Sequence, residues 1–327
     1  MVLEALTALG RETARNARAI AGVFFALLAS GCASLFPQTA VLRGGLPPDL
    51  PPTVELKSVP FFPQKEYQCG PAALATVLAD KGVKVTPDEL VPQVYLPARK
   101  GSLQVEMLAA TRRHGLISYL LAPNFQDVMR EVAAGNPVIV LQKRGIFESW
   151  HYAVVIGYDY DSATIYMRSG EEEREEMRFW SNEFLWARSG YWAMVAIPPD
   201  RMPATADESR YLSSIAAFER AGGPRAAALA YETFRKRWPD NVNAAVGLAN
   251  AHYALGELKA AEGVLREAEK QDPQSVVVLN NLAQTLSDQG RDAEALPVIE
   301  RAVGLGGPYA NAAQDTRRTI LQKLKKN

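Results

Sequence analysis

The sequence of 327 residues contains few cysteines, few histidines and no excess of either charge. It has two Cys and three His, so few side chains are available for nucleophilic or metal chemistry. Lys plus Arg and Asp plus Glu both number 36, a balance that carries no sequence-wide signature of nucleic-acid binding. No nucleotide-binding motif of the P-loop kind occurs. We therefore expect no cofactor, no metal ion and no nucleic-acid partner.

Long hydrophobic runs are also lacking, with one exception near the N-terminus. There, an uncharged apolar run from Ala19 to Ala29 follows Arg11, Arg15 and Arg18. This order is typical of a secretory signal peptide, and the run is too short to span a bilayer comfortably as a helix. Residues 1–31 are therefore interpreted as a signal peptide.

The end of this segment, "LLASGC" at residues 27–32, resembles a bacterial lipobox. The resemblance implies that Cys32 is acylated and becomes the first residue of a mature chain attached to a membrane. Because Ala33 is not an acidic retention signal, we expect an exported lipoprotein of the outer membrane that faces the periplasm. An ordinary cleaved signal and an uncleaved anchor are the alternatives. If Cys32 carries lipid, Cys69 has no disulfide partner within the chain.

Two proline-rich stretches, 36–53 and 197–206, divide the rest of the sequence. The first has no periodic apolar face and is interpreted as an extended tether. The predicted parts are a tether at 32–54, a domain of mixed helix and strand pattern at 55–198, a linker at 199–208 and helical repeats at 209–327.

Within the first domain, helical patterns come first and strand patterns follow. Residues 70–82 space small and apolar side chains as the buried face of a helix, and Thr86 begins a capping box. Ser102 is a candidate N-cap of a further helix that ends at His114. Four later runs, short and rich in β-branched and aromatic residues, predict antiparallel strands. This order indicates an α+β domain, and it resembles the arrangement of papain-like cysteine peptidases.

The C-terminal part repeats itself with a period of 34 residues. The residues that mark the period are Gly222, Gly256 and Gly290, Ala227, Ala261 and Ala295, and Pro239 and Pro273. The pattern resembles the tetratricopeptide repeat, an all-α array in which alanine allows close helix contact and proline ends the second helix. The predicted repeats are 209–242, 243–276 and 277–308, with a capping helix at 310–325. We expect such an array to bind a protein partner.

Cys69 has the sequence surroundings of a nucleophile. The start of a helix favours a thiolate, and the small residues of "QCGPAAL" would let a substrate backbone approach. As a base, His151 is the strongest candidate because it opens the apolar strand "HYAVVIGY", where a polar ring is unexpected unless it faces a cleft. His114 and His252 are better explained by structural roles. Gln64 is a candidate oxyanion donor, together with the Cys69 N–H.

Acidic and tryptophan residues beyond the histidine strand receive structural interpretations. Asp159 and Asp161 are expected to form a turn, and the acidic run at 171–176 predicts an exposed hairpin. Trp180, Trp186 and Trp192 are expected to pack at the edge of the sheet, with one of them lining a cleft as the alternative.

The motif "PQKEYQCGPAAL", followed about eighty residues later by "HYAVVIGYD", resembles the bacteriocin-processing, double-glycine leader peptidases, a branch of the papain-like cysteine peptidases. The resemblance covers roughly residues 55–198. It implies Cys69 as nucleophile, His151 as general base and acid, and Gln64 in the oxyanion hole. Two positions depart from the family. The glutamine usually lies six residues before the cysteine rather than five, and Ser169 stands where the family has the aspartate that orients its histidine.

Together these patterns predict a membrane-tethered cysteine peptidase that cuts peptide or protein substrates through a thioester on Cys69. A carboxylate stabilises an imidazolium, whereas the Ser169 hydroxyl adds no charge. This difference favours an alternative, a weakly active or inactive peptidase-like domain that binds peptides within a scaffold. A peptidyl transferase, as in the phytochelatin-synthase relatives of the same fold, shares the thioester step and stays open.

Overall fold

The computed structural model describes residues 35–64, 68–145 and 149–326. The predicted signal peptide and Cys32 lie outside the described residues. Within these ranges, no helix combines the length and the apolar character that a membrane span requires.

An antiparallel sheet forms the centre of the N-terminal part. Its described strands are β1 (Thr53–Glu55), β4 (Ile117–Leu120), β5 (Val138–Arg144), β6 (Ser149–Asp159), β7 (Thr164–Ser169), β8 (Glu172–Arg178) and β9 (Ala193–Ile197). The order is β4-β9-β5-β6-β7-β8, and β1 pairs with the last residues of β6. A separate small ribbon joins β2 (Tyr95–Leu96) to β3 (Gly101–Ser102). The four predicted strands are confirmed as β5, β6, β7 and β9.

Helices of the described N-terminal part pack around this sheet. They are α1 (Pro37–Arg43), α2 (Cys69–Asp80), α3 (Pro87–Val94), α4 (Gln104–Arg113), α5 (Phe125–Ala133) and α6 (Phe179–Ala187). The capping box at Thr86 is confirmed, because its hydroxyl accepts from the Glu89 N–H and its own N–H donates to the Glu89 carboxylate at 2.7 Å. The prediction for Ser102 is wrong. Helix α4 begins after Leu103, and Ser102 pairs with Tyr95 in the ribbon.

Both faces of β6 are buried. Tyr152 and Val154 pack in the core that α2 covers, whereas Ala153 and Val155 pack on the opposite face with residues of α5 and α6. Successive side chains of a strand point to opposite faces, so the continuous apolar run of β6 is explained by cover on both sides. The helix that carries the cysteine therefore packs directly on the strand that carries the histidine.

The extended tether predicted at 32–54 is wrong for its described residues, because part of this segment forms α1. The N–H groups of Gln38 and Thr39 donate to the two carboxylate oxygens of Glu183 at 2.9 and 2.7 Å. Leu42 is buried in the core beneath α1. A carboxylate satisfies the unpaired N–H groups at a helix start, so a helix forms here without a periodic apolar face of its own.

The C-terminal part is helical throughout. Its described helices are α7 (Glu208–Arg235), α8 (Val242–Ala254), α9 (Leu258–Gln271), α10 (Val276–Asp288), α11 (Asp292–Leu305) and α12 (Ala310–Leu324). Helix α7 is broken at Gly223, where φ is 76°. Gly256 and Gly290 have the same positive φ between the later helix pairs, a conformation that glycine adopts without strain. Gly222 is helical, so the first pair turns one residue later than the 34-residue spacing predicts.

A shared core joins the repeat helices to the sheet. The rings of Tyr119 in β4 and Tyr211 in α7 meet edge to face, with centroids 6.0 Å apart. The Tyr119 hydroxyl donates to the Thr205 carbonyl at 2.9 Å and accepts from the Asp207 N–H at 3.1 Å. Residues 199–208, interpreted as a linker, are thus held against the sheet by a buried side chain.

Two repeat glycines differ in the space around them and lead to opposite predictions. A Cβ at Gly247 in α8 would lie 2.3 Å from the Tyr231 ring, whereas one at Gly263 in α9 would have no neighbour within 4 Å. Gly247→Ala should lower the free energy of unfolding by about 1–3 kcal/mol through overpacking. Gly263→Ala should raise it by about 0.5–1 kcal/mol because alanine favours a helix. Urea denaturation followed by circular dichroism measures both, and equal effects would contradict this packing.

Candidate active site

A cleft of about 1140 Å³ opens where the start of α2 meets the start of β6. Gln64, Cys69 and His151 line it together, although His151 lies about eighty residues after the other two in the sequence. Ser102 and Arg188 also contribute to its walls. The cleft is therefore the place where the chain could bind a peptide beside a thiol and an imidazole.

Cys69 is the first residue of α2, and the N-cap residue Gln68 makes no side-chain hydrogen bond to the helix. The N–H groups of the first turn therefore favour negative charge at this point. Burial has the larger influence and raises the pKa of the thiol, while the N–H groups of Tyr152, Gly70 and Cys69 itself act to lower it. The thiol is protonated at neutral pH, so a base must take its proton before it attacks.

Gly70 allows the β2–β3 ribbon to approach the first turn of α2. A Cβ at this position would lie 2.2 Å from Ser102 Oγ. The Ser102 hydroxyl is buried and has no hydrogen-bond partner among the described residues. The side chain expected to cap a helix is thus a polar group of the cleft wall, and the glycine after Cys69 is the sequence signal that points to this contact.

His151 lies near the start of β6 and is half-buried in the wall of the cleft. Its Nε2 is 2.9 Å from the Ser169 hydroxyl on β7. Burial, with a smaller contribution from the Arg144 guanidinium, lowers the pKa of His151 to about 4, although the Glu175 carboxylate acts to raise it. The imidazole is therefore uncharged at neutral pH and able to accept a proton.

The contact with Ser169 determines which nitrogen of His151 is available in the cleft. When Ser169 Oγ accepts from Nε2–H, the lone pair of the ring is on Nδ1 and can take a proton from a thiol. A hydroxyl holds the ring in place but brings no negative charge to an imidazolium. The site thus has the orienting contact of a Cys–His pair without the carboxylate.

Glu175 does not replace that carboxylate, because it is engaged elsewhere. It forms a bidentate ion pair with Arg144, with both contacts at 2.9 Å. Arg144 also donates to Gln142 Oε1 at 2.6 Å, and the fully buried Gln142 donates to Asn182 Oδ1 at 2.7 Å. We did not predict this network from the sequence. Its signal there is the polar Gln142 at the end of the apolar run of β5.

Gln64 lines the same cleft in spite of its five-residue distance from Cys69. Its N–H donates to the Gly170 carbonyl at 3.0 Å, which fixes its backbone beside the end of β7. Its side-chain Nε2 is 3.5 Å from the Tyr152 carbonyl, the outer limit of a hydrogen bond. The amide can therefore exchange this weak contact for a bond to an oxyanion.

The remaining candidates have local structural contacts. Asp159 accepts from the Ser162 N–H at 2.9 Å within the predicted turn. His114 is the residue that ends α4, and His252 is paired with the Glu257 carboxylate at 2.7 Å. No group of three His, Cys, Asp or Glu side chains in the described ranges is arranged to hold a metal ion.

The tryptophans expected at the sheet edge divide into two kinds. Trp186 is fully buried, and its indole N–H donates to the Trp192 carbonyl at 2.8 Å. The prediction is wrong for Trp180, whose side chain is 48% exposed on α6. The acidic run at 171–176 is confirmed as part of an exposed hairpin, because most of it lies in the edge strand β8.

Comparisons with known proteins match the N-terminal and the C-terminal parts of the chain to different families. Residues 56–192 match the model of the Peptidase_C39 like family. Residues 215–276 and 276–305 match models of the tetratricopeptide repeat. No curated protein matches the chain significantly.

Solved structures similar to parts of the chain include a C39-like peptidase from Bacillus anthracis, 17% identical over 44% of this chain and 97% of that one, with a TM-score of 0.38. A double glycine motif protease from an AMS/PCAT transporter, in complex with the leader peptide, is 21% identical over 43% of this chain and 93% of its own, with a TM-score of 0.35. The TPR2B domain of yeast Sti1 in its pHsp70 complex is 18% identical over 36% and 97%, with a TM-score of 0.34. By its family matches, the chain combines an α+β domain that matches the Peptidase_C39 like family over residues 56–192 with an all-α array that matches the tetratricopeptide repeat over residues 215–305.

Proposed function

We propose that this protein is a cysteine peptidase that hydrolyses peptide bonds through a thioester on Cys69. The observation that carries the proposal is the cleft shared by Cys69, His151 and Gln64, with His151 Nε2 2.9 Å from Ser169 Oγ. The family match supports the reaction class. A fold by itself does not decide function, so the proposal rests on these side chains.

In the proposed reaction, His151 Nδ1 takes the thiol proton while Cys69 Sγ attacks the carbonyl carbon of the scissile bond. The resulting oxyanion accepts hydrogen bonds from the Cys69 N–H and the Gln64 amide. Collapse breaks the C–N bond, and the leaving amine takes the proton from His151. Water then attacks the thioester, loses a proton to His151, and releases the acid and the free thiol.

The two pKa shifts define how this pair would work at neutral pH. The raised pKa of Cys69 and the lowered pKa of His151 favour a neutral thiol and a neutral imidazole over a thiolate–imidazolium ion pair. Each turnover then requires proton transfer during the attack itself. We therefore expect a slower nucleophile than one that stands ready as a thiolate.

A second function is favoured by the same observation. A half-buried neutral pair of Cys69 and His151, with a serine rather than a carboxylate at position 169, suits a cleft that binds a peptide but cuts it slowly or not at all. In this version the domain is a peptide-binding module of a scaffold. In both versions we propose that the repeats recruit a protein partner, as repeat arrays do through their extended surfaces.

Labelling of Cys69 separates the two versions. We expect residues 33–327 to react with a peptide-like thiol-directed electrophile at neutral pH, because the cleft would bind the peptide part and His151 would activate the thiol. Cys69→Ala should abolish labelling, and His151→Ala should slow it by about 10²-fold or more, the usual contribution of a general base. Intact-protein mass spectrometry measures the rates. If Cys69 is labelled no faster than a free surface thiol, the peptidase proposal is contradicted and the peptide-binding scaffold is supported.

Ser169 provides a test of the missing charge. Ser169→Asp should raise the pKa of His151 by placing a carboxylate beside Nε2, and so stabilise the thiolate–imidazolium pair. Iodoacetamide alkylation of Cys69 at pH 6–7 should then become about three- to fourfold faster for each unit by which the pKa of the thiol falls, because the thiolate fraction rises while the nucleophilicity of the thiolate declines. Ser169→Asn is the matched control, since it keeps a polar side chain and adds no charge.

In the unsubstituted chain, the rate of Cys69 alkylation should rise steadily from pH 6 to 9, because the thiol stays protonated at neutral pH. A plateau of the rate in that range would contradict the neutral thiol–imidazole pair.

We further propose that the chain is a lipoprotein attached to the outer membrane through Cys32, on the basis of the "LLASGC" motif. Metabolic labelling with a fatty-acid analogue in a bacterial host should mark the full chain. Cys32→Ser should remove the label, because the thiol is the attachment point. Cys69→Ser is the matched control and should keep it. Equal labelling of the two serine variants would contradict the anchor.

A further inference from the structure

An exposed apolar surface lies where the described chain begins. We call it the aromatic patch. It consists of Leu35 and Phe36 just before α1, Val41 on α1, and Trp180 and Phe184 on α6. The exposed fraction is 65% for Leu35, 62% for Val41, 48% for Trp180 and 45% for Phe184. The Phe36 ring meets those of Trp180 and Phe184 edge to face, with centroids 5.8 and 6.3 Å apart. The aromatic members thus form one cluster at the surface.

The exposed charged side chains of α1 and at the end of α6 are arginines. Glu183 is the one carboxylate in α1 and α6. It is fully buried and accepts hydrogen bonds from backbone N–H groups at the start of α1. The Arg188 guanidinium lies over the Phe184 ring, 4.5 Å from its centroid, and Arg43 ends α1. Exposed tryptophan and phenylalanine bordered by arginine are the composition of a surface that lies in the interface of an anionic bilayer.

The position of the lipid attachment limits what can cover the aromatic patch. Three residue steps separate Cys32 from Leu35, and they reach at most about 11 Å when fully extended. A lipid chain on Cys32 would therefore keep this surface close to the bilayer.

Resting on the lipid anchor proposed above, we infer that the aromatic patch is a membrane-contacting surface inserted at the level of the lipid headgroups. The partner is a lipid bilayer with anionic headgroups. Trp180 and Phe184 would bury their rings at the boundary with the acyl chains, while Arg188 and Arg43 would remain among the headgroups.

This orientation has a consequence for the cleft. Arg188, which stacks on Phe184, is also part of the wall that Cys69 and His151 share. One wall of the cleft therefore adjoins the proposed membrane-contacting surface. The substrate class that fits this arrangement is a polypeptide segment lying at the membrane surface, such as the juxtamembrane part of an anchored protein, in preference to a freely diffusing peptide.

Fluorescence quenching tests the inference on the full-length chain, reconstituted in vesicles of phosphatidylethanolamine and phosphatidylglycerol with brominated acyl chains. Trp180 should be quenched, so Trp180→Phe should lose most of the bromine-dependent quenching while it keeps an aromatic ring in the patch. Trp238→Phe is the matched control, because Trp238 packs on Phe234 in the repeat helices, and it should lose little. Equal loss in the two variants would overturn the inference, as would no loss in Trp180→Phe.

The anchor and the aromatic patch can fail separately in this experiment. If the wild-type chain floats with vesicles and Trp180 is not quenched, the anchor stands and the patch does not contact lipid. If Cys32→Ser floats as well as wild type, the acyl anchor is wrong, and the patch is then judged on that variant at high vesicle concentration. Quenching that Trp180→Phe removes supports the patch there too, and absence of quenching overturns it.

Discussion

The close approach of the first turn of α2 to β3 and β6 determines the rest of the site. Gly70 makes it possible, because a Cβ there would lie 2.2 Å from the Ser102 hydroxyl. Tyr152 strengthens it from the other side by donating its hydroxyl to the Ser102 carbonyl at 3.2 Å. Tyr152 follows His151 directly. The contacts of Ser102 with Gly70 and Tyr152 therefore position both the start of α2 and the histidine, and so fix where His151 lies relative to Cys69. One packing constraint therefore assembles a site from three distant segments.

Burial then sets the chemistry of that site. It opposes charge on both partners, so the pKa of the Cys69 thiol rises and that of the His151 imidazole falls to about 4. A carboxylate beside the ring would offset this effect, but Ser169 is neutral and Glu175 is held by Arg144. A protonated, half-buried thiol is also less open to oxidation, because oxidation follows the thiolate fraction and the exposure of the sulfur. The same arrangement that would slow the nucleophile would also protect the Cys69 thiol in the oxidising compartment that the proposed export implies.

Local patterns were sufficient to predict the parts of the molecule whose causes are local. The helix at Cys69, the strand at His151 and the capping box at Thr86 follow from adjacent residues and are confirmed. The features that the sequence could not predict depend on distant partners. Helix α1 is stabilised by the carboxylate of Glu183, far along the chain, and Ser102 belongs to a cleft wall because of its contact with the first turn of α2.

The same distinction applies to the arrangement of the site. The sequence supplied Cys69, His151, Gln64 and Ser169 as candidates, and a 2.9 Å contact between His151 and Ser169 is a geometric fact that spacing alone cannot give. Trp180 is instructive in the opposite sense. Its neighbours in the sequence are those of a core helix, and Trp186 on the same helix is fully buried, yet Trp180 faces outward. Helical periodicity separates the two faces, but it does not say which one a sheet will cover.

The junction between the domains gives the proposed function a spatial consequence. Tyr119 bonds to the backbone of both Thr205 and Asp207 and packs against Tyr211, so the first repeat helix is part of the same core as the sheet. A partner bound by the repeats would therefore be held at a fixed place relative to the cleft. Such fixed attachment raises the effective concentration of one segment of the partner and lowers that of others. A slow nucleophile would then act on the polypeptide that the repeats hold in place, and selectivity would come from this positioning rather than from the cleft alone.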